Sequence, residues 1–182
     1  MKPDRKISAI DLLLKSTLII LVILLFTAII FFFSNQTGNQ SHSFSKAIAS
    51  SMVTDWNNIF GLNLDEDSKN IVIRILDQPI RKLAHVIEYL LLGFGVYGII
   101  FIIDKYKNRF LYLLFTFLLV ILIACLDEYN QFYSSGRGSS IRDVFIDTIG
   151  GSLGIYLVIA THDLIAHIKN LFKSFTTRNH NE

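Results

Sequence analysis

Four separated stretches of this 182-residue chain are apolar enough to cross a bilayer, and polar side chains gather at one end of three of them. The first runs from about Leu12 to Phe33, longer than the ~20 residues needed to cross a hydrocarbon core about 30 Å thick. The others cover about Leu83 to Ile103, Phe110 to Leu126, and Val144 to Ala160, the last with scope to reach Ile168. Continuous apolar runs favour helices over a β-barrel, whose strands alternate in hydrophobicity over ~10-residue segments. With 52% hydrophobic and 13% aromatic residues, the composition lies far from that of soluble domains. The expected fold is therefore an all-α integral membrane protein with four transmembrane helices and a partly helical extracellular segment between the first and second.

Basic residues orient this arrangement. Lys2, Arg5, Lys6 and Lys15 precede or enter the first span, Lys105, Lys107 and Arg109 separate the second from the third, and Lys169, Lys173 and Arg178 follow the fourth. The positive-inside rule then places both termini in the cytoplasm. The first span is longer than a signal-peptide core of about 7–15 residues, and the Ala47-x-Ala49 pattern lies well beyond it, so it reads as an uncleaved anchor. The chain divides into a cytoplasmic N-terminus (1–11), a first helix (12–33), an outer segment (34–82), a core of helices two to four (83–160) and a cytoplasmic tail (161–182).

Within the outer segment, Phe44, Ile48, Met52, Trp56 and Phe60 recur every four residues, the spacing of one helical stripe. That stripe is expected to pack over the other helices or lie on the membrane surface, with a ligand-contacting lid as the alternative. Asp65-Glu66-Asp67 has N-cap character, and Ile71 to Leu76 reads as a short helix that Pro79 ends or kinks. The lone Cys125 excludes an intrachain disulfide and reads as a small buried hydrophobe.

Charge at membrane depth costs about 2.5–3.5 kcal/mol per residue on insertion scales, so the polar residues at the span ends are the candidate site. His85 and Glu88 are three apart near the start of the second span, and Tyr89 shares their helical face. A carboxylate beside histidine fixes its tautomer and favours the protonated ring, the arrangement of a general acid/base pair and equally of a structural one. Asp127 and Gln131 are four apart at the end of the third span, with Glu128 turned about 100° away, so that one acid faces the bundle and the other the interface. Asp143 and Asp147 open the fourth, aligned with Gly150 and Gly154, whose spacing permits close helix approach. Asp147 needs a partner, for which Arg137, Arg81 or His85 could serve. Arg137, in a Gly-x-Gly turn, can fork onto a carboxylate or a phosphate.

Antiparallel spans bring His85, Glu88, Asp127, Glu128, Gln131, Arg137, Asp143 and Asp147 to one membrane face, the outer one. His-x-x-Glu lacks the zincin spacing, so no metal is expected, and with neither P-loop nor dinucleotide fingerprint, no cofactor or nucleic-acid partner is expected either. His162, His167 and His180 read as polar-edge residues. If a reaction is catalysed, His85, Asp127 and Asp143 are the candidates for proton transfer.

These motifs resemble the VanZ-like family of bacterial membrane proteins. The resemblance rests on Phe33-Ser-Asn-Gln-Thr-Gly38, Arg81-Lys-Leu-Ala-His-Val-Ile-Glu-Tyr89, Asp127-Glu-Tyr-Asn-Gln-Phe132, Gly136-Arg137, and Asp143-Val-Phe-Ile-Asp147 leading to Gly150-Gly151. It covers about Phe26 to Leu157. Asn130 stands where the family pattern suggests histidine, and Asp147 where asparagine is commoner. The family is named for a member associated with resistance to teicoplanin, a glycopeptide with a lipid tail, and supplies no mechanism to transfer. What the resemblance implies is a multi-pass protein of the bacterial cytoplasmic membrane, acting at the cell envelope among membrane lipids. Two readings stay open. In one, the chain binds an anionic lipid, a lipid-linked cell-wall precursor or a lipoglycopeptide; in the other, it is an intramembrane enzyme acting on such a substrate. The oligomeric state is left undetermined.

Overall fold

The computed structural model describes residues 9–36, 38–103, 108–133 and 140–179, excepting the side chains of 38–40, 172 and 174–179. Five helices account for nearly all of them: α1 (Ala9–Ser34), α2 (Gly38–Phe60), α3 (Glu66–Ile103), α4 (Arg109–Phe132) and α5 (Ile141–Asn179). Four are long and apolar enough to cross a membrane, namely α1, α3, α4 and the Ile141–Leu171 part of α5. In bilayer lipid only internally hydrogen-bonded backbone is tolerated, and uninterrupted helices satisfy that condition. Hydroxyls inside the spans close back onto their own helices, as Thr116 does onto the Tyr112 carbonyl at 2.9 Å and Thr148 onto that of Val144 at 2.7 Å.

Helix α3 is the hub, touching all four others and α5 most extensively. Its 38 residues span about 57 Å, nearly twice a hydrocarbon core, so its N-terminal part projects beyond the bundle and α2 packs there. Asp65 caps it, its carboxylate accepting from the Ser68 amide at 3.1 Å, as the sequence leads one to expect. Pro79, however, neither ends the helix nor divides it into a short piece and a span. Proline removes one amide and crowds the carbonyl four residues back, that of Ile75, but Ile75 is an exposed residue whose freed carbonyl is open to its surroundings. Helix α5 likewise continues past Ala160 to Asn179, since no glycine or proline follows Gly154 to stop it.

The α3–α5 contact is set by glycine. A Cβ built on Gly93 would run into the carbonyl of Gly151, and one on Gly154 would strike the Leu90 carbonyl and sit 2.7 Å from the Phe94 amide. Only hydrogen lets the two backbones approach this closely, the packing that the Gly150-x-x-x-Gly154 spacing leads one to expect. Around it, Ile30, Tyr89, Leu92, Val96, Ile100, Val120, Ile123 and Ala124 form the principal buried cluster.

One sequence expectation changes here, and a second is narrowed to one of its alternatives. Cys125 is exposed rather than buried; lipid is as apolar as a core, so an outward thiol costs little. On α2 the large stripe of Phe44, Ile48, Trp56 and Phe60 is exposed, while Ser41, Ser45, Ala49 and Val53 are buried against the hub. Small side chains allow the closer approach, and the bulky stripe is left outward, as surface docking requires.

Candidate functional site

Arg81, His85 and Glu88 occupy successive turns of one α3 face, and the other helices close around it. His85 Nδ1 lies 3.4 Å from Glu88 Oε2, near enough for charge attraction but misaligned for a hydrogen bond, so both atoms lack a hydrogen-bond partner among the described residues. Tyr89 is wholly buried, and its hydroxyl also has no partner there. From α4, Asp127 is fully buried and accepts from Gln131 Nε2 at 3.0 Å, the four-residue pairing anticipated from spacing. The Ser34 hydroxyl at the end of α1 also faces Asp127. Asn130 donates to Asn35 at 2.6 Å and so ties the ends of α1 and α4 together.

Glu128 does not turn out to the interface. It is buried, and its carboxylate accepts from the Ser140 amide at 2.7 Å, which holds the start of α5 beside the end of α4. Asp147 on α5 is buried as well, and the basic group it faces is His85, which Asp127 and Glu128 also face. Asp143, one turn earlier, pairs instead with Lys82 at the rim, at 2.5 Å. Four buried or nearly buried carboxyl groups, Glu88, Asp127, Glu128 and Asp147, thus surround one imidazole. Seven of the eight candidate residues assemble at one end of the bundle; Arg137 lies outside the described residues.

Sequence reasoning missed a second polar node on α3. Asp77 is buried and accepts from the Ser45 hydroxyl and from His42 Nδ1, the latter at 2.7 Å, while Arg81 Nη1 lies 3.4 Å from His42 Nε2. Serine, histidine and aspartate are together, but the Ser45 hydroxyl is bonded to Asp77 and not to the imidazole. The serine–imidazole contact of an activated nucleophile is therefore not made, and the node is a clasp between α2 and α3. Two signals pointed to it: an aspartate between apolar positions of a helical stretch, and the four-residue spacing of Ser41, Ser45 and Ala49.

Between the node and the acid cluster lies a cavity of about 180 Å³. Its polar lining includes Gln36, Arg81, His85 and Glu88, and its apolar wall Phe33, Phe44, Ile48 and Ile80. Gln36 and Phe44 also border a larger open groove of about 770 Å³ that runs along Phe32, Ser43 and Ala47. Polar groups at one end and an apolar lane leading away suit an amphiphile. Among the described residues no three His, Cys, Asp or Glu side chains are arranged to hold a metal ion.

A family model described as VanZ/LLP1 matches residues 18–165, a range that contains every residue of the cluster and the node. No curated protein and no solved structure matches the chain significantly.

Proposed function

The chain belongs to the VanZ/LLP1 family, and from that premise we propose that it binds an amphiphile with an anionic headgroup at the outer face of the bacterial membrane. The ligand class comprises anionic lipid, the headgroup of a lipid-linked cell-wall precursor, and a lipoglycopeptide of the teicoplanin type. One observation carries the reading: the Arg81 guanidinium and the incompletely bonded His85–Glu88 pair line the same cavity as an apolar wall. A buried polar group left without a partner costs about 1–3 kcal/mol, and a bound headgroup would recover that cost. Arg81 supplies the fork for a phosphate or carboxylate, and the open groove takes the apolar chain. In cells, such binding alters which molecules reach the envelope surface, and increased tolerance of teicoplanin is the expected phenotype.

The test is retention of amphiphile by the full chain extracted from native membrane, followed by native mass spectrometry. The wild-type protein should retain a phosphate-bearing amphiphile, and Arg81→Ala should lose it. Equal retention by Arg81→Ala would sink the reading. His85→Gln separates it from intramembrane catalysis. An amide still hydrogen-bonds, so a binder keeps much of its function, whereas an enzyme using His85 as proton carrier would lose turnover while keeping its ligand.

A further inference from the structure

Resting on that reading, we infer that among amphiphiles whose headgroup offers Arg81 a phosphate the cavity prefers one that also bears a primary ammonium, a zwitterionic headgroup, over one that carries the anionic group alone. The cavity is polarised. At one end of its α3 wall is Arg81, and seven residues further on, about 10 Å along the helix axis, is Glu88. Behind Glu88 stand Asp127, Glu128 and Asp147, with His85 as the base they share. Lys82, the next basic residue on α3, is engaged by Asp143. Carboxyl groups so close in a low-dielectric interior cannot all carry charge unless positive charge is brought among them, and the deep end of the cavity favours whatever supplies it. An anion alone would meet Arg81 correctly and Glu88 wrongly.

Hydrogen bonding narrows the cation further. Glu88 lines the cavity with a carboxylate, an acceptor without donors of its own, and its Oε2 has no hydrogen-bond partner among the described residues. A primary ammonium offers three N–H donors and satisfies it, while a quaternary ammonium has the charge but no donor. The apolar wall of Phe33, Phe44, Ile48 and Ile80, continuing into the groove past Phe32 and Ala47, requires the headgroup to carry a chain. Phosphate at Arg81, ammonium at Glu88 and hydrocarbon in the groove match the basic, acidic and apolar parts of the lining.

The experiment titrates the purified full chain in detergent with short-chain phosphatidylethanolamine, phosphatidylglycerol and phosphatidylcholine, and with water-soluble phosphoethanolamine. Phosphatidylethanolamine should bind about tenfold more tightly than either other lipid, the scale of one charge-assisted hydrogen bond. Phosphoethanolamine, which lacks the chain, should bind far more weakly than its lipid. Glu88→Gln should erase the preference by weakening phosphatidylethanolamine alone, and Arg81→Gln should weaken all three lipids. Phosphatidylglycerol binding as well as or better than phosphatidylethanolamine overturns the inference and leaves the proposed function standing. So does a Glu88→Gln variant that weakens both lipids equally. Failure of every lipid to bind the wild-type protein likewise overturns the inference, whereas lipids that bind with complete indifference to Arg81→Gln overturn the proposed function itself. The wild-type comparison decides the matter even if a variant fails to fold.

Discussion

Helix α3 carries two polar clusters about two turns apart, and they differ in how fully they are bonded. In the node with α2, Asp77 accepts from both Ser45 and His42, and His42 in turn reaches Arg81. In the cluster with α4 and α5, four carboxyl groups crowd one histidine, and His85 Nδ1, Glu88 Oε2 and the Tyr89 hydroxyl lack hydrogen-bond partners among the described residues. Buried polar groups stabilise a fold when satisfied and weaken it when not, so the first cluster has the character of a fastening and the second that of a place prepared for something else. Charge at depth therefore does not by itself mark a site; incomplete bonding beside a cavity is the sharper sign.

The frame common to both clusters should be the most sensitive to change. Gly154→Leu would force a side chain into the α3 backbone at Leu90 and Phe94, and overpacking of this kind costs about 1–3 kcal/mol or more. Abundance in the membrane and thermal stability in detergent should both collapse; a well-folded Gly154→Leu would mean the helices do not cross there. Next in size is Asp77→Ala, which takes the acceptor from His42 and leaves the buried Ser45 hydroxyl only the α2 carbonyls of Ser41 and His42, a loss of about 1–3 kcal/mol. Limited proteolysis should then release α2 while the α3–α5 pairing persists. If α2 stays as protected as in the wild type, the node is not the fastening.

For the second cluster the expectation reverses. Tyr89→Phe removes a buried hydroxyl that has no partner among the described residues, so thermal stability should stay level or rise slightly. A clear loss of stability would show that the hydroxyl is bonded in the folded protein and would erase the contrast between the clusters. The smallest effect belongs to Asp65, at the exposed start of α3. Its carboxyl is held below the usual carboxylate range by hydrogen bonds from the Ser68 side chain and amide. A lowered folded-state value contributes stability above the ordinary aspartate pKa of about 3.9 and loses it as pH falls through the lowered value. Protection of the first-turn amides of α3 against hydrogen exchange, taken relative to their intrinsic exchange rate at each pH, should fall on acidification in the wild type and change less in Asp65→Ala.

A further measurement fixes which way round the clusters lie. With Cys125 replaced, cysteine at exposed Asn58 should react with a membrane-impermeant thiol reagent in intact cells, and cysteine at exposed Asn108 should not. The opposite pattern would put the cavity on the cytoplasmic side and remove the envelope from the proposed function.

Much of this protein was legible in one dimension. Length and continuity of apolar sequence determined four spanning helices, because a bilayer admits hardly any other backbone. Helical spacing determined the Asp127–Gln131 bond, the His85–Glu88 juxtaposition and the close approach at Gly150 and Gly154, since residues three and four apart must meet on a helix face. Tertiary structure alone decided that Pro79 does not end α3, that Glu128 faces inward to hold Ser140, and that the small stripe of α2 rather than the large one meets α3. It also decided that Asp77 has both carboxylate oxygens bonded while Glu88 Oε2 has no hydrogen-bond partner among the described residues. Local sequence states which side chains a helix offers on each face, but which face is covered, and whether a buried atom finds a partner, depends on helices up to a hundred residues away. Hydrophobicity cannot choose among faces when the surrounding lipid is as apolar as the protein core.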